Sequence, residues 1–305
     1  GGCPVMKALS EPTRLLAWHH FKMQVPSEWE ITAYSVEDRE GRIELSTRHG
    51  FQAMVSWATC RRKPDAESMM VSFLRRKLPA RRNVRTVSVQ NLKTRKVRDF
   101  LVGYHTGDLP CQAFAFVEQE RKLVSVVFDD ADPERMEETY LPMLKSFRPN
   151  RGDIIEYAIF GLHFKLPRAF AVEDMATHPA NVMISLESSS KVRATFRRWG
   201  MPEVAMAGDS LEGYYRRILR VHGCRIAGSE PCRIHGHEAV HLVYEQRGQH
   251  QMEKFLGKPW KDGQAWVWRD RTEHRIYAFE TIGPPDAGLP AFREVFPHLG
   301  EPKAA

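Results

Sequence analysis

One five-residue string matches the spacing of a known catalytic centre, the H-E-x-x-H of zinc peptidases. It runs His237-Glu238-Ala239-Val240-His241. Two histidines four residues apart can share a zinc ion only on a helix, where they lie on one face and the glutamate activates a water. On a strand they would lie about 13 Å apart.

The residues around this string alternate as a strand does. Val240, Leu242 and Tyr244 are apolar at every second position, which is typical of a strand with one buried face. His250 does not stand where the extended pattern has its third ligand. We predict a strand over 237–244 and no shared metal, and a zinc-dependent hydrolase using His237, Glu238 and His241 stays an alternative.

Two weaker motifs lie nearby. His235 and His237 could ligate a metal together with His222, Cys224 or Cys232, since thiolate and imidazole suit zinc. The cysteine spacing fits no zinc-finger pattern, so surface histidines beside buried thiols are favoured. Gly208-Asp209-Ser210-Leu211 spells the nucleophile block of GDSL hydrolases, but no downstream D-x-x-H accompanies it. Asp209 is predicted to cap a helix instead.

The strongest candidate binding feature is a basic segment, residues 61–98. It has thirteen Lys and Arg against two acids, while the whole chain carries only +7. Converging on one face, these side chains would bind an anion such as nucleic acid or an acidic protein. A solvated surface with helix-end cations is the alternative. The candidate residues are Arg61, Arg62, Lys63, Arg75, Arg76, Lys77, Arg81, Arg82, Arg85, Lys93, Arg95, Lys96 and Arg98.

Composition limits the class of protein. The 305 residues are 42% hydrophobic, enough for two packed domains. Five scattered cysteines are no disulfide framework, which favours the cytoplasm. No apolar run is long enough to span a bilayer. The start, Gly1-Gly2-Cys3, lacks a methionine and is interpreted as a cloning scar or a truncation, with a lipid-anchor cysteine as the alternative.

An internal repeat organises the elements that must position these residues. Matching Pro26 with Pro167 gives an offset of 141, which also matches Ile43 with Ile184 and Leu45 with Leu186. Fixed-offset similarity indicates repeated units. We predict a first repeat over 1–150, a turn-rich linker over 148–152, and a second repeat over 151–305 with an insertion near 245–263.

Each repeat is predicted to contain the same order of elements. Alternating strands lead to a helix capped by an acid, after Pro64-Asp65 in one repeat and Asp209 in the other. More strands follow, including Phe100–Tyr104 and Val240–Tyr244. Each repeat then closes with a short helix, over Asp132–Phe147 and Asp286–Phe296.

These motifs resemble the PsbP-like superfamily. The similar features are the F-x-x-x-x-P-x-x-W type of opening, the capped helix in mid-domain and the closing Ser146-Phe147-Arg148-Pro149. The resemblance implies an α+β fold of two tandem α/β/α sandwich domains, each a mainly antiparallel sheet with flanking helices. It also implies binding of a macromolecular partner rather than turnover of a substrate.

The sequence therefore predicts a non-catalytic binding or assembly factor without a cofactor. A protein is the expected partner, and nucleic acid or another polyanion bound by the basic segment is the alternative.

Overall fold

Alternating apolar residues build the strands of the first half. In this computed structural model the described residues are 12–36, 40–65, 68, 92–97, 100–105, 112–117, 121–129, 132–178, 180–246, 261–285, 287–300 and 302–304. The strands are β1 Thr13–Trp18, β2 Phe21–Pro26, β3 Glu30–Val36, β4 Glu40–Thr47, β5 Gly50–Thr59, β6 Leu92–Val97, β7 Phe100–His105, β8 Gln112–Val117, β9 Lys122–Phe128 and β10 Arg148–Pro149.

Seven of these strands form one antiparallel sheet in the order β3-β4-β5-β9-β8-β7-β6. Ile43, Val55 and Val126 meet across β4, β5 and β9 and are all buried. Their position on one face follows from the two-residue period of a strand. The alternation in the sequence is thus the pattern of one buried sheet face.

The predicted closing helix of the first half is present over nearly its whole length. It comprises α1 Pro133–Arg135, a π-helical turn Met136–Tyr140 and α2 Leu141–Ser146. Asp132 caps it, since its carboxylate accepts from the Arg135 N–H at 3.0 Å. Phe147 then packs edge-on against Phe100, with ring centroids 4.9 Å apart. This contact holds the helical segment against the sheet.

The predicted linker is partly a strand. β10 pairs with β2, where Arg148 stands opposite Lys22 and Pro149 opposite Phe21. Asn150 is only 2% exposed, and its side-chain amide donates to the Trp18 carbonyl at 2.8 Å. The turn-forming residues of this stretch therefore complete the first half instead of forming a free connection.

Beyond Gly152 the chain again consists mainly of strands. They are β11 Ile154–Ile159, β12 Leu162–Pro167, β13 Phe170–His178, β14 Asn181–Ser188, β15 Arg193–Gly200, β16 Cys224–Ile234, β17 His237–Gln246, β18 Lys261–Asp270, β19 Arg275–Gly283 and β20 Lys303–Ala304. The helices are α3 Pro202–Met206, α4 Leu211–Val221 and α5 Phe292–Val295.

Contacts divide the molecule into two compact units. The first unit comprises residues 1–151 with 158–160, and the second comprises 152–157 with 161–305. The large sheet of the second unit is antiparallel, in the order β13-β14-β15-β19-β18-β17-β16-β20. The described residues thus form an α+β protein made mostly of antiparallel sheets.

Helices lie on both faces of the second sheet. On one face α4 buries Tyr215 and Leu219 against apolar residues of β17, β18 and β19. On the other face α5 places Phe292 against Trp266, with ring centroids 5.6 Å apart. The faces are distinct because side chains alternate along each strand.

Two helix predictions for the second unit need correction. Ser210, not Asp209, caps α4, since its hydroxyl accepts from the Gly213 N–H at 3.0 Å. Asp209 instead pairs with Arg217, at 2.5 Å between its carboxylate and the guanidinium. The closing helix is shorter than predicted, Phe292–Val295. The first-unit helix predicted after Pro64 lies almost wholly outside the described residues.

Both large sheets begin with a strand that carries a β-bulge. The register shifts between Ile31 and Ala33 in β3, and between Val172 and Asp174 in β13.

In the described part of the chain, no helix has the length and apolar character needed to cross a membrane.

Candidate functional site

The H-E-x-x-H string lies on a strand, as predicted. It falls in β17, His237–Gln246. The His241 ring stacks on Trp266 with centroids 4.7 Å apart, and His237 lies 3.5 Å from the Asp270 carboxylate. Glu238 instead pairs with Arg271 at 3.6 Å. The extended backbone separates the two histidines by about 13 Å, so the string does not assemble a zinc centre.

The weaker histidine and cysteine motif is only partly brought together, with the His235 and His237 ring centroids 6.3 Å apart. Cys224 and Cys232 lie near opposite ends of β16, about 26 Å apart along an extended strand. Burial, with the charge of Glu280, raises the pKa of the Cys224 thiol to about 12. Among the described residues, no group of three or more His, Cys, Asp or Glu is placed to hold a metal ion.

Only part of the basic segment can be placed. Arg61, Arg62 and Lys63 follow β5 directly and are exposed. Lys96 is exposed on β6, which also includes the backbones of Lys93 and Arg95. The remaining candidates lie outside the described residues: Arg75, Arg76, Lys77, Arg81, Arg82, Arg85 and Arg98. Convergence of the whole set on one face stays a prediction.

A polar cleft of about 430 Å³ lies on the second sheet, beside the end of α4. It occupies the same sheet face as α4, over the strands that this helix leaves uncovered. Its floor includes Ser185, Thr195, Arg197 and Glu280, and Tyr244 lies at the α4 side. The complete lining is Glu173, Asp174, Met183, Ser185, Arg193, Thr195, Arg197, His222, Cys224, Tyr244, Gln246, Glu280 and Ile282. We call this the Arg197 cleft.

An ion pair lies at the centre of the Arg197 cleft. Arg197 Nε donates to Glu280 Oε1 at 2.9 Å, and 15% and 11% of the two side chains remain exposed. The buried Tyr215 hydroxyl donates to the same Oε1 at 2.6 Å. Desolvation and then the charge of Glu280 raise the pKa of Tyr215 well above its usual value. This phenol therefore stays protonated and holds the carboxylate in place.

The Arg197 guanidinium has N–H groups that the described residues leave without an acceptor. Arginine has five N–H donors, and in the described structure only Nε–H has an acceptor, the Glu280 carboxylate. Arg197 nonetheless lines the cleft. The four remaining N–H groups, on Nη1 and Nη2, are thus available to a bound molecule.

The ion pair is not a requirement of this sheet architecture. When Ile43 is matched with Ile184, the strand registers match Val55 with Phe196 and Val126 with Phe279. The neighbouring residues, Ser56 and Val127, then take the positions of Arg197 and Glu280. Ser56 and Val127 cannot form such a pair, so the ion pair is particular to the second of these two sheets.

The other charges of the cleft are arranged around its rim. Arg193 pairs with Glu173 at 2.7 Å and lies 3.6 Å from Glu187. Asp174 is exposed on β13. The Ser185 and Thr195 hydroxyls, 3.2 Å apart, hydrogen-bond to each other in the floor. The floor therefore combines a cation, its carboxylate partner and neutral hydroxyls.

The sequence motifs did not indicate this site. Arg197 and Glu280 are 83 residues apart in the chain, and no short motif joins them. One feature did point to Glu280: it is the single acid within the apolar strand Arg275–Gly283. A charge at a buried strand position needs a partner, and Arg197 is that partner.

Comparison with known proteins gives distant structural similarities. No protein-family model matches the chain, and no curated protein matches it at a significant level. Several solved structures are similar, and three of them are described here. A PsbP from the cyanobacterium Synechocystis sp. PCC 6803 has 14% identity and a TM-score of 0.34, over 45% of this chain and 83% of that one.

The other two structures come from Pseudomonas aeruginosa. A protein of unknown function has 15% identity and a TM-score of 0.25, over 44% of this chain and 85% of that one. A type VI secretion immunity protein, solved in complex with a peptide, has 9% identity and a TM-score of 0.35, over 92% of both chains.

Proposed function

We propose that this protein is a non-catalytic binding factor for another protein, and that the Arg197 cleft receives a segment of the partner. The observation that carries the proposal is the Arg197 guanidinium, which lines the cleft and is fixed through Nε by Glu280, while Nη1 and Nη2 have no hydrogen-bond acceptor among the described residues. Such a preoriented guanidinium loses less conformational entropy on binding than a free one.

The other groups of the cleft suit recognition better than reaction. The Cys224 thiol, with its pKa raised to about 12, is protonated at neutral pH and is a poor nucleophile. Desolvation and the charge of Glu280 also raise the pKa of Tyr244 well above its usual value. Together with Gln246, Ser185 and Thr195 these groups offer hydrogen bonds to the carbonyl and amide groups of a polypeptide.

Co-purification from the natural host tests the proposal. The double variant R197M/E280Q removes the guanidinium while glutamine still accepts from Tyr215. Arg225, which is exposed and pairs with Glu245, lies outside the cleft and gives the control R225Q. We expect one partner protein to be recovered in stoichiometric amount with the wild type and R225Q, and to be lost with the double variant.

Two results would count against the proposal. Equal recovery of the partner protein with the double variant would show that the binding surface lies outside the cleft. A small molecule as the sole bound species in native mass spectrometry would exclude a protein ligand.

A second candidate function is anion binding by the basic segment. The exposure of Arg61, Arg62, Lys63 and Lys96 supports it. Several cations acting together on a polyanion release counterions, so the affinity should fall steeply with salt.

Binding to heparin and duplex DNA between low and high salt tests this candidate. Replacing Arg75, Arg76, Arg81 and Arg82 with Ser removes four cations of the basic segment and should abolish most binding. A matched set of exposed arginines in the second unit, Arg225, Arg233 and Arg271, serves as control. A salt-independent affinity would exclude the candidate.

A further inference from the structure

We propose that the Arg197 cleft selects a carboxylate of its partner, bound by Nη1 and Nη2 of Arg197. This inference rests on the proposed function and adds the chemical class of the ligand group. The outer edge of a guanidinium presents two parallel N–H donors, which match the two oxygens of a carboxylate.

The state of Glu280 leaves positive charge on that outer edge. Its Oε1 atom accepts from both the Tyr215 hydroxyl and Arg197 Nε. The negative charge is therefore shared between two donors. Arg197 is oriented by Glu280 without being enclosed by it.

The remaining acids of the cleft do not compete for Arg197. Glu173 is bound by Arg193 through two contacts, 2.7 and 3.1 Å. Asp174 lies on β13, two strands from β15 in the sheet order β13-β14-β15, which is about 10 Å. Neither of these two side chains therefore competes with a ligand carboxylate for the Arg197 guanidinium.

Charge balance favours a carboxylate over phosphate or nucleic acid. The lining holds three acids, Glu173, Asp174 and Glu280, against two arginines, Arg193 and Arg197. This balance repels a dianion or polyanion more strongly than it repels a single negative charge. A single carboxylate can be bound through directional, paired hydrogen bonds at close range.

The carboxylate can come from an acidic side chain or from the C-terminus of a partner chain. Four peptide probes separate these sources: acetyl-Gly-Glu-Gly-amide, acetyl-Gly-Gln-Gly-amide, acetyl-Gly-Gly-Gly with a free C-terminus, and its amide. Titration of the full-length protein at fixed ionic strength is followed through the Arg197 Nε–H signal in NMR, which is assigned by its loss in R197K.

We expect saturable shifts with the glutamate peptide or the free C-terminus, and affinities at least about tenfold above those of the neutral partners. R197K keeps the charge but loses the paired donors, and should lose most of this preference, as read from the Tyr244 and Ser185 amide signals. R225K, the matched exposed change, should keep it.

Equal affinity for charged and neutral peptides would overturn the inference, and so would an unchanged preference in R197K. If that result came with loss of the natural partner in R197M/E280Q, the cleft would still be the protein-binding surface. If the natural partner were also retained, the proposed function would fail as well.

Discussion

At the scale of single residues, the Arg197–Glu280 pair makes a clear prediction about stability. Arg197→Met leaves a largely buried carboxylate without its cation and should lower the free energy of unfolding by about 3 kcal/mol. Adding Glu280→Gln removes that charge while keeping an acceptor for Tyr215, so the double variant should lie within about 1 kcal/mol of wild type. Urea unfolding of the two variants measures this, and an equal loss in both would show that packing, not charge, dominates.

His298 predicts a pH dependence. Burial lowers its pKa, and His163, His235 and Lys165 add to the effect, while Glu156 opposes it. The folded protein therefore binds fewer protons than the unfolded chain, whose histidine pKa is about 6.5. The free energy of unfolding should fall as the pH drops through that value, and level off below the folded pKa.

Denaturant midpoints between pH 7.5 and 5.5 test the contribution of His298. His298→Gln should flatten the decline, and His49→Gln, at an exposed turn of the first unit, should keep the wild-type slope. If the denaturant midpoint fell equally with pH in His298→Gln, other titratable groups would cause the effect.

At the scale of elements, Gly263 on β18 lets the Tyr244 ring lie flat across the strand. A Cβ at this position would stand 2.5 Å from Cζ of Tyr244, so Gly263→Ala must displace the ring. We expect a loss of about 1–3 kcal/mol in stability together with weaker binding in the Arg197 cleft, which Tyr244 lines.

Gly228 on β16 provides the matched control. There the nearest atom to an added Cβ is Val243 Cβ at 4.0 Å, so Gly228→Ala should be tolerated. Thermal melts and the peptide titration of both variants measure the difference. Similar behaviour of the two would mean that Tyr244 can move at no cost.

Elements that depend on local pattern were predictable, and contacts across strands were not. The alternation of apolar and polar residues predicted the strands around Ile43 and Ile184. It also predicted that the H-E-x-x-H string lies on a strand. The choice between Asp209 and Ser210 as helix cap depends on one residue of register, which composition does not decide. The meeting of Arg197 and Glu280 depends on β15 pairing with β19, a long-range fact that no local pattern contains.

At the scale of the whole molecule, we propose that the two units are copies of one ancestral domain. The shared strand order supports this. So do backbone bonds at the same offset: Ser27 N–H to Pro12 C=O, and Arg168 N–H to Asp153 C=O. The bulges at Ile31/Ala33 and Val172/Asp174 also differ by 141 positions. Agreement of three separate features is hard to obtain by convergence.

We expect the two compact units to respond separately to damage. Phe196 is fully buried and stacks on Phe164 with centroids 3.6 Å apart, so Phe196→Ala should cost about 3–5 kcal/mol. Amide hydrogen exchange should accelerate in the second unit and change little in the first. Phe128→Ala, at a buried ring stacked on Tyr140, should give the reverse, and acceleration in both units would indicate a single cooperative core.

The paired bulges have a consequence for how this strand-rich protein behaves at high concentration. β3 and β13 are outermost in the order of their described sheets, and a regular outer strand invites a foreign strand to extend the sheet into a fibril. A bulge interrupts the row of N–H and C=O groups that such growth would copy. The acids Glu173 and Asp174, beside the second bulge, add repulsion between like molecules. At β3 and β13 the bulges thus protect these two sheet edges against edge-to-edge aggregation.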